Sequence, residues 1–587
     1  MSDSPRRSSR LGVLLLLILV PLGLRLAPIQ HGMPRNYIPD THVVRSALGM
    51  AQDKDLVPEV GVYSTYPNLL PYALLPVYVG RYAAGKLSGE WGGREEFKRE
   101  VALFPERVHL PARVLVALLS CLAPLAVFGA MRRAGYGPGA WAAGWLTGTG
   151  LLFLQFSLQE RPWAVLVSSL AIAVACAARH VQDGQLKSLL LCGLAAASGF
   201  ASHQAGLAFL LVPGLAWLCG PVGWKGRDLL VRLENGVFCV AFFWGAALLI
   251  GHPYLVLHGS TPDAMVSGAD VAEGGSVGGV SVGGQGFRFG FRAESLVRLS
   301  LALLGYEPVL LALGLFGLAF VLKQRVLWPA LGFLFFWAPV FLVNPNDHVR
   351  YLLPVALLLA YPAGAAVERL WASGVGRALA VLLLAVPLVQ AGRMGFVLRA
   401  DDSRALAEQS LAVELGPGDV VAIDRYGPIL DLSTSALERL ADWRELRMRE
   451  GMRASLLAEV EPDILEQHGV LPGLDALYLE ELVSVDERAE VVHPRAFLEL
   501  PDPLPLAGLL DLLRAQGATH VLCVERGPDR WNPLVQAVEA AGLEPLFTID
   551  PSVDPAAERM LPLELDFALV SLWRVDRAGP RMRLYAL

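Results

Sequence analysis

The chain has 587 residues, of which 54% are hydrophobic and only 18% are charged. Soluble globular domains carry about 25% charged residues, so this composition excludes a soluble enzyme and indicates a membrane protein. The formal net charge of −6 and the lack of a long basic tract argue against a nucleic-acid partner. The six cysteines form no CxxC pair, which argues against a disulfide framework or a cysteine metal site.

Apolar runs long enough to cross a bilayer recur along the first two-thirds of the chain. The first run, Leu11–Ile29, follows Arg6, Arg7 and Arg10, and no cleavage motif comes after it, so we predict an uncleaved helix with a cytoplasmic N-terminus. Ten further runs lie at residues 111–131, 139–158, 162–179, 188–202, 204–219, 235–251, 296–322, 326–343, 351–367 and 376–398. Together they predict about eleven transmembrane helices.

Basic residues in the short connections assign each connection to one side of the membrane. With the N-terminus inside, five basic connections all fall inside, as the positive-inside rule requires. They contain Arg132 with Arg133, Arg179 with Lys187, Lys225 with Arg227 and Arg232, Lys323 with Arg325, and Arg369. An odd number of spans then places the C-terminal part outside.

From about residue 400 the composition becomes that of an ordinary soluble domain. The segments DVVAID and THVLCVE have the pattern of buried strands, and GPRMRLYAL has that of an alternating edge strand. We therefore predict an α-helical polytopic membrane domain at residues 1–399, with a long first outer loop at 30–110. A soluble α/β domain on the extracytoplasmic side is predicted at residues 400–587.

Two segments of the outer side need a separate interpretation. The run Tyr66–Tyr82 is apolar, but its three prolines disfavour a continuous helix, and a span here would move the basic connections outside. We predict a segment that lies on or dips into the outer face of the membrane. The Gly-rich stretch GGSVGGVSVGGQG in the outer loop 252–294 lacks the GK[ST] of a phosphate loop, so we predict a flexible lid or linker.

Ionisable residues near membrane depth are costly, so they are candidates for a functional site. On the predicted topology they gather at the outer ends of helices, which indicates an outward-facing cavity. The candidates are Asp40, His42, Glu160, Arg161, His203, His252, Asp347, His348 and Arg350. Structural alternatives remain open: Asp40 as a helix N-cap, Glu160 with Arg161 as an interfacial ion pair, and His203 as a polar break in a helical hairpin. Asp347 and His348 also fit an ordinary turn.

Five segments occur in a recognisable order between residues 11 and 400. They are RNYIPDTHVVRSALGMAQDKDLVP, YSTYPNLLPYALLP, ARVLVALLSCLAPLAVFGAMRR, GHPYLVL and HVRYLLPVALLLA. In this order the chain resembles the GT-C glycosyltransferases that use polyprenyl-phosphate-linked sugars. The nearest groups are the protein O-mannosyltransferase-like and aminoarabinose-transferase-like bacterial membrane proteins. The chain departs from them at Thr41, where many relatives have a second acidic residue, and at His203–Gln204, where relatives often have lysine.

The resemblance implies an inverting glycosyltransferase that moves a hexosyl or pentosyl group from a polyprenyl-phosphate donor. The acceptor would be a protein, lipid or glycan at the outer face of a bacterial cytoplasmic (inner) membrane. Asp40 corresponds to the catalytic acid of the first outer loop, and we assign it as the base. We assign Arg350 to the donor phosphate, because a guanidinium presents a planar donor fork.

The remaining site residues are assigned more broadly. Glu160 is predicted as a second catalytic residue that binds the acceptor or orients an arginine, and the predicted substrate-binding residues are Arg161, His203, His252, His348 and Tyr351. We expect no metal or other cofactor, since the acidic residues are scattered singly. The related oligosaccharyltransferases do use a divalent ion. Two other classes stay open: a transporter or flippase for a lipid-linked or polar solute, and a non-catalytic membrane scaffold.

Overall fold

The computed structural model describes most of the chain. The described residues are 4–37, 42–58, 66–258, 266–269, 279–282, 285–288, 293–342, 349–424, 427–441, 457–458, 460–479, 508–525, 533–553 and 569–587. The chain divides into two compact units. Unit 1 consists of Met1–Ile29, Asp40–Arg81 and Leu110–Gly395, and unit 2 consists of Gln30–Pro39, Tyr82–His109 and Phe396–Leu587.

Helices dominate the chain as far as Arg399. In chain order they are α1 (Ser4–Leu26), α2 (His42–Asp53), α3 (Leu69–Ser88), α4 (Arg94–Leu103), α5 (Glu106–Ser120), α6 (Leu122–Arg133), α7 (Pro138–Thr149), α8 (Leu151–Ser157), α9 (Trp163–Asp183), α10 (Leu186–Ser202), α11 (Leu211–Cys219), α12 (Gly226–Gly251), α13 (Pro253–Leu257), α14 (Ala293–Tyr306), α15 (Pro308–Val321), α16 (Trp328–Leu342), α17 (Leu353–Leu370) and α18 (Gly374–Arg399). Short 3-10 helices occupy Gln204–Leu210, Arg325–Leu327 and Val349–Leu352.

Among the described residues, five helical stretches are long and apolar enough to cross a membrane. They are Glu106–Arg133, Trp163–Asp183, Gly226–Gly251, Val349–Leu370 and Gly374–Glu414. The pair Leu299–Tyr306 and Pro308–Val321 meets the same standard only together and is bent by 106°. Shorter apolar helices are Leu15–Leu26, Leu186–Ser202, Gln204–Cys219 and Arg325–Val340. The chain is thus a multi-pass membrane protein, but the predicted count of about eleven spans is not confirmed, because several apolar helices fall short of the ~20 residues that a bilayer needs.

Two predicted spans contain breaks that hydropathy did not reveal. The run at 139–158 is split at Gly150, which separates α7 from α8 and has an extended backbone (φ −56°, ψ 132°). The run at 296–322 bends at Glu307, between α14 and α15. Because the sequence is apolar on both sides of each break, a hydropathy average over a window that contains the break does not detect it.

The proline-containing run after Tyr66 is helical, contrary to our expectation. Residues Leu69–Ser88 form one continuous helix, α3. Pro71 lies in its first turn, where the missing N–H has no intrahelical partner in any case, and only Pro76 lies inside. This helix is not among the described helices that are long and apolar enough to cross a membrane.

Close backbone contacts join α17 to α7 and to α15. A Cβ atom at Gly139 would clash with the carbonyl of Gly364, and one at Gly317 would clash with the carbonyl of Pro362. Small residues at these points therefore let the helices approach closely. At the start of α7, the Glu368 carboxylate accepts hydrogen bonds from Gly137 N (3.0 Å) and Gly139 N (2.7 Å), which satisfies two N-terminal amides.

Two sheets complete the described structure. Unit 1 contains a small antiparallel sheet of β1 (Val266–Ala269), β2 (Gly279–Val282) and β3 (Gln285–Arg288), so part of the predicted flexible lid is strand. Unit 2 contains a five-stranded mixed sheet in the order β5-β4-β6-β8-β7. Its strands are β4 (Val420–Ile423), β5 (Asp475–Tyr478), β6 (His520–Glu525), β7 (Pro545–Ile549) and β8 (Arg581–Ala586). The helices of this part are α19 (Ser403–Glu414), α20 (Thr434–Ala441), α21 (Pro462–Gln467), α22 (Leu509–Ala515), α23 (Pro533–Ala540) and α24 (Leu569–Arg574).

The C-terminal strand of unit 2 occupies a different place from the predicted one. Strand β4 runs parallel to β5 and β6, and β8 runs antiparallel to β6 and β7. Strand β8 therefore lies inside the sheet, and β5 and β7 form its edges. The alternation that suggested an edge strand arises because β8 buries Met582 and Leu584 while Arg581 and Arg583 stay partly exposed.

Part of the first predicted outer loop belongs to unit 2. Ala102 and Leu103 of α4 pack in the cluster of buried residues that also contains Leu411 of α19. Arg35 forms ion pairs with Glu408 and with Asp431, the second at 2.6 Å. The sequence predicts that the whole loop 30–110 goes with the membrane part, whereas Gln30–Pro39 and Tyr82–His109 are grouped with unit 2.

Candidate functional site

The indole of Trp163, at the start of α9, is the centre of a cluster in unit 1. The imidazole of His203 lies 4.1 Å from it, centroid to centroid, and the ring of Tyr351 meets it edge-on at 5.4 Å. The guanidinium carbon of Arg350 lies 5.5 Å from the same ring centroid. Two segments that are far apart in sequence, one with His203 and one with Arg350 and Tyr351, thus converge on one buried tryptophan. A cation over an indole face is a stabilising arrangement.

His203 occupies the break between α10 and the following 3-10 helix. Its backbone is extended (φ −156°, ψ 141°), and its Nδ1 accepts a hydrogen bond from Ala205 N at 3.0 Å. Because Nδ1 is an acceptor, the neutral ring carries its proton on Nε2. The predicted alternative of a polar helix break is therefore correct for His203, and its Nε2–H is still a donor for the site.

A row of rings connects this centre to the start of α2. Tyr66 lies 5.4 Å from His203 and 5.8 Å from His42, measured between ring centroids. His42 is the first residue of α2, two positions after Asp40. We call His42, Tyr66, His203, Trp163 and Tyr351 the ring row. Asp40 itself lies outside the described residues, as do Asp347 and His348.

Two buried donors in the cluster are available to a ligand. Trp163 is fully buried, and its Nε1 has no hydrogen-bond partner among the described residues. The same is true of the Nε atom of Arg350. Buried N–H groups are normally paired, because an unmade hydrogen bond costs about 1–3 kcal/mol. Donors of this kind suit an acceptor-rich group such as a phosphate or a sugar hydroxyl.

Glu160 lies in the turn that leads to Trp163. Its carboxylate forms an ion pair with Arg113 of α5 at 3.0 Å, and both side chains are fully buried. Arg113 also donates to the carbonyl of Ile29 at 2.9 Å. Glu160, the predicted second catalytic residue, is therefore shielded from solvent, and Arg113 orients its carboxylate. The neighbouring Arg161 is also buried.

His252 adjoins Gly251, which contacts Pro67, Asn68 and Ala201 in the segments that carry Tyr66 and His203. It is buried at the C-terminal end of α12, and its ring is 5.8 Å from that of Phe200, centroid to centroid. The adjoining Gly251 accepts a hydrogen bond from Asn68 N at 3.0 Å. A Cβ atom at Gly251 would lie 2.8 Å from Ala201 Cα, so glycine is needed there for the close approach of the two segments.

The sequence reasoning missed several members of the site. Trp163, Tyr66 and Arg113 were not selected. Arg113 had a usable signal, because it is a charged residue inside the apolar run 111–131. Trp163 and Tyr66 had none, since an aromatic residue in an apolar run is usually core. Among the described residues, no group of three or more His, Cys, Asp or Glu side chains is placed to hold a metal ion.

Comparison with known families gives one match within the chain. Residues 101–247 match the family model described as dolichyl-phosphate-mannose-protein mannosyltransferase. This match confirms the resemblance to the GT-C glycosyltransferases and supports the predicted enzyme class. The matched range contains Arg113, Glu160, Trp163 and His203 but neither Asp40 nor Arg350. No curated protein sequence matches the chain.

Several solved structures are similar to the chain. The oligosaccharyltransferase of Archaeoglobus fulgidus in the apo form is 12% identical with a TM-score of 0.40, over 88% of this chain and 69% of that one. ArnT from Cupriavidus metallidurans in the apo state is 13% identical with a TM-score of 0.43, over 99% and 98%. The arabinofuranosyltransferase AftD from Mycobacteria is 17% identical with a TM-score of 0.42, over 100% and 40%. All three TM-scores are below 0.5, so the functional assignment rests on the family match and on the site.

Proposed function

We propose that the chain is a membrane glycosyltransferase that takes a sugar from a polyprenyl-phosphate donor. The observation that carries this proposal is the convergence of Arg350, His203 and Tyr351 on Trp163, within reach of the ends of apolar helices. A donor with a lipid tail stays in the bilayer, and its phosphate and sugar reach a site at the helix ends. The family match over residues 101–247 covers the Trp163 and His203 part of this site.

The chemical step is a displacement at the anomeric carbon. The acceptor hydroxyl oxygen forms a bond to this carbon, the bond from carbon to the phosphate oxygen breaks, and the bonding pair leaves with the phosphate. Asp40 takes the hydroxyl proton, so the carboxylate becomes a carboxylic acid as the lipid phosphate departs. Attack opposite to the leaving group inverts the configuration. A base acts only within hydrogen-bond reach of the proton, which requires Asp40 to face the same cavity as the ring row.

The leaving phosphate gains negative charge during the step and needs donors that are already in place. Arg350 supplies the charge, and the Nε2–H of His203 and the Nε1–H of Trp163 supply hydrogen bonds. Oriented donors in a site without bulk water stabilise developing charge more strongly than water does. Arg161, His252, His348 and Tyr351 are proposed as substrate-binding residues around this centre.

The proposed function is tested with purified protein in detergent and undecaprenyl-phosphate-linked sugars as probes. We expect release of undecaprenyl phosphate only when an acceptor is present. Asp40→Asn should reduce the rate by about 10²–10⁴, whereas the control Asp55→Asn, at an exposed loop residue, should react like the parent. Movement of an intact donor across vesicle membranes without sugar release would instead identify a transporter. A fully active Asp40→Asn variant would remove Asp40 from the mechanism.

The side of the membrane is part of the proposal. We propose that the N-terminus and the loop containing Arg133 are cytoplasmic, and that the sheet of unit 2 is extracytoplasmic, in a bacterial inner membrane. Single cysteines introduced by Gln52→Cys and Arg133→Cys, both at exposed positions, report on the two sides. An impermeant reagent should label intact cells at position 52 only. Labelling at position 133 alone would reverse the topology.

A further inference from the structure

The break at Gly150 separates the carbonyl of Gly148 from the amide of Leu152, among other helical partners. In a continuous helix the carbonyl of Gly148 would accept from Leu152 N, four residues on. In this structure the Gly148 carbonyl accepts from Nη1 of Arg25 at 2.9 Å, and Leu152 N donates to Oε1 of Glu307 at 2.9 Å. One arginine and one glutamate therefore satisfy the two groups that the break has separated.

Both side chains are almost completely buried in unit 1. Arg25 is 0% exposed and Glu307 is 4% exposed. Arg25 also donates to Ser120 Oγ (2.8 Å) and to the carbonyl of Pro21 (2.9 Å). Among the described residues, neither side chain forms a salt bridge. Ionisable side chains at such depth are costly to bury and are therefore candidates for functional positions.

The geometry at Gly150 is specific for this arrangement. A Cβ atom at position 150 would lie 2.9 Å from Oε1 of Glu307 and 2.8 Å from the carbonyl of Leu146. Any side chain there would displace the Glu307 carboxylate from α8. The glutamate itself lies at the 106° bend between α14 and α15, so two breaks in separate spans meet through one hydrogen bond.

Helix α8 is the short link between this break and the site. It ends at Ser157, and the turn that follows carries Glu160 and Arg161 and leads into Trp163. The direction of α8 therefore sets where the indole lies relative to His203 and Arg350. Since Glu307 is buried and its oxygen is engaged by the backbone, it acts on the site through α8 and not by touching a substrate.

We propose that Glu307 and Arg25 are positioning residues: they hold α8 at the Gly150 break so that Trp163 is placed to receive the donor phosphate. This inference rests on the proposed function. Glu307 holds the N–H of Leu152 in the first turn of α8, and Arg25 holds the carbonyl of Gly148 in the last turn of α7. Without either contact, the turn at Glu160–Pro162 loses its fixed position relative to the ring row.

The test separates positioning from stability. Glu307→Gln retains an oxygen that accepts from Leu152 N, whereas Glu307→Leu does not, and Gly150→Ala displaces the carboxylate without changing it. The matched control is Glu368→Leu, which removes a carboxylate that caps α7 at its opposite end. Each variant is purified and measured for hydrogen exchange in peptides covering residues 151–163, for affinity for undecaprenyl phosphate, and for thermal stability.

We expect Glu307→Leu and Gly150→Ala to exchange faster at 151–163 and to bind undecaprenyl phosphate about 10-fold more weakly. Glu307→Gln should stay near the parent in both readouts, and Glu368→Leu should lose thermal stability while keeping its affinity. Parental affinity in both Glu307→Leu and Gly150→Ala would overturn the positioning role, and so would equal weakening by Glu368→Leu. If Glu307→Leu fails to fold, the affinities of Gly150→Ala and Glu307→Gln for undecaprenyl phosphate are compared instead, and equal affinities would overturn the positioning role. A parent protein that binds no undecaprenyl phosphate would overturn the proposed function, and the positioning role would fall with it.

Discussion

The imidazole of His203 and the indole of Trp163 lie 4.1 Å apart, centroid to centroid, although 40 positions separate them in sequence. Both rings lie at the ends of helices. His203 occupies the break after α10, and Trp163 begins α9 directly after a turn. The centre of the site is therefore built at helix ends, where backbone groups and side chains are free to meet a ligand.

Replacement of Trp163 tests whether its N–H contributes to binding. Trp163→Phe keeps an aromatic ring but removes Nε1–H, and we expect about 10-fold weaker binding of undecaprenyl phosphate, measured in detergent. Trp163→Ala should also lower the free energy of unfolding by about 3–5 kcal/mol, because it opens a large cavity. The control is Trp145→Phe, because the indole N–H of Trp145 donates to the carbonyl of Leu384 and not to a ligand. Equal effects of the two phenylalanine variants on binding would contradict the role of Trp163.

Replacement of His203 separates its two functions. In His203→Asn the amide oxygen can still accept from Ala205 N, so the helix break should persist and thermal stability should stay near the parent. The donor at Nε2 is lost, and sugar transfer should fall by roughly 10²-fold. His203→Phe should lose both activity and about 1–2 kcal/mol of stability. An Asn variant with parental transfer would reduce His203 to a helix cap.

The sequence predicted the helices well but not their interruptions. The runs that became α9, α12 and α18 are predominantly apolar, and hydropathy is sufficient to find them. The breaks at Gly150 and Glu307 depend on partners that are distant in sequence, namely Arg25 for one and the start of α8 for the other. No window along the chain contains that information.

The sequence pointed to some residues of the candidate site and gave no signal for others. His203 and Arg350 are candidates because polar residues at helix ends stand out from apolar surroundings, and the structure brings both to Trp163. Trp163 and Tyr66 were not found, since only the fold shows that they connect these residues. The role of residues 30–39 and 82–109 in unit 2 was equally hidden, because loop sequences do not specify which distant sheet they pack against.

The buried pair Arg113–Glu160 gives a prediction about energetic coupling. Arg113→Met leaves a fully buried carboxylate without its partner and should destabilise the protein by about 3–5 kcal/mol, and Glu160→Met should cost a similar amount. The double variant should cost less than the sum of the two, since no uncompensated charge remains. Thermal unfolding of all four proteins in one detergent measures this coupling. Additive costs would show that the two side chains do not act as a pair.

Unit 2 provides a prediction about independent folding. A fragment of residues 396–587 lacks Ala102 and Leu103, which pack in its apolar core. It also lacks Arg35, which forms ion pairs with Glu408 and Asp431. Joining residues 82–109 to the fragment by a Gly/Ser linker should raise its unfolding free energy by roughly 1–2 kcal/mol through apolar burial. Chemical denaturation followed by circular dichroism compares the two proteins. Ala102→Asp in the joined protein should abolish the gain, and a gain that survives this change would contradict the packing role of α4.

The discontinuity of unit 2 also has a consequence for biosynthesis. Residues 30–39 and 82–109 leave the ribosome before residues 110–395, and the strands that they pack with are synthesised last. Domains commonly fold as they emerge, but this one must remain unfinished until residues 396–587 have been synthesised. The composition of α4 suits such a delay, because six of the ten residues in REEFKREVAL are charged and favour a solvated segment. Ribosome stalling or truncation before residue 396 therefore leaves Ala102, Leu103 and Arg35 without the residues that they pack against or pair with in the complete chain.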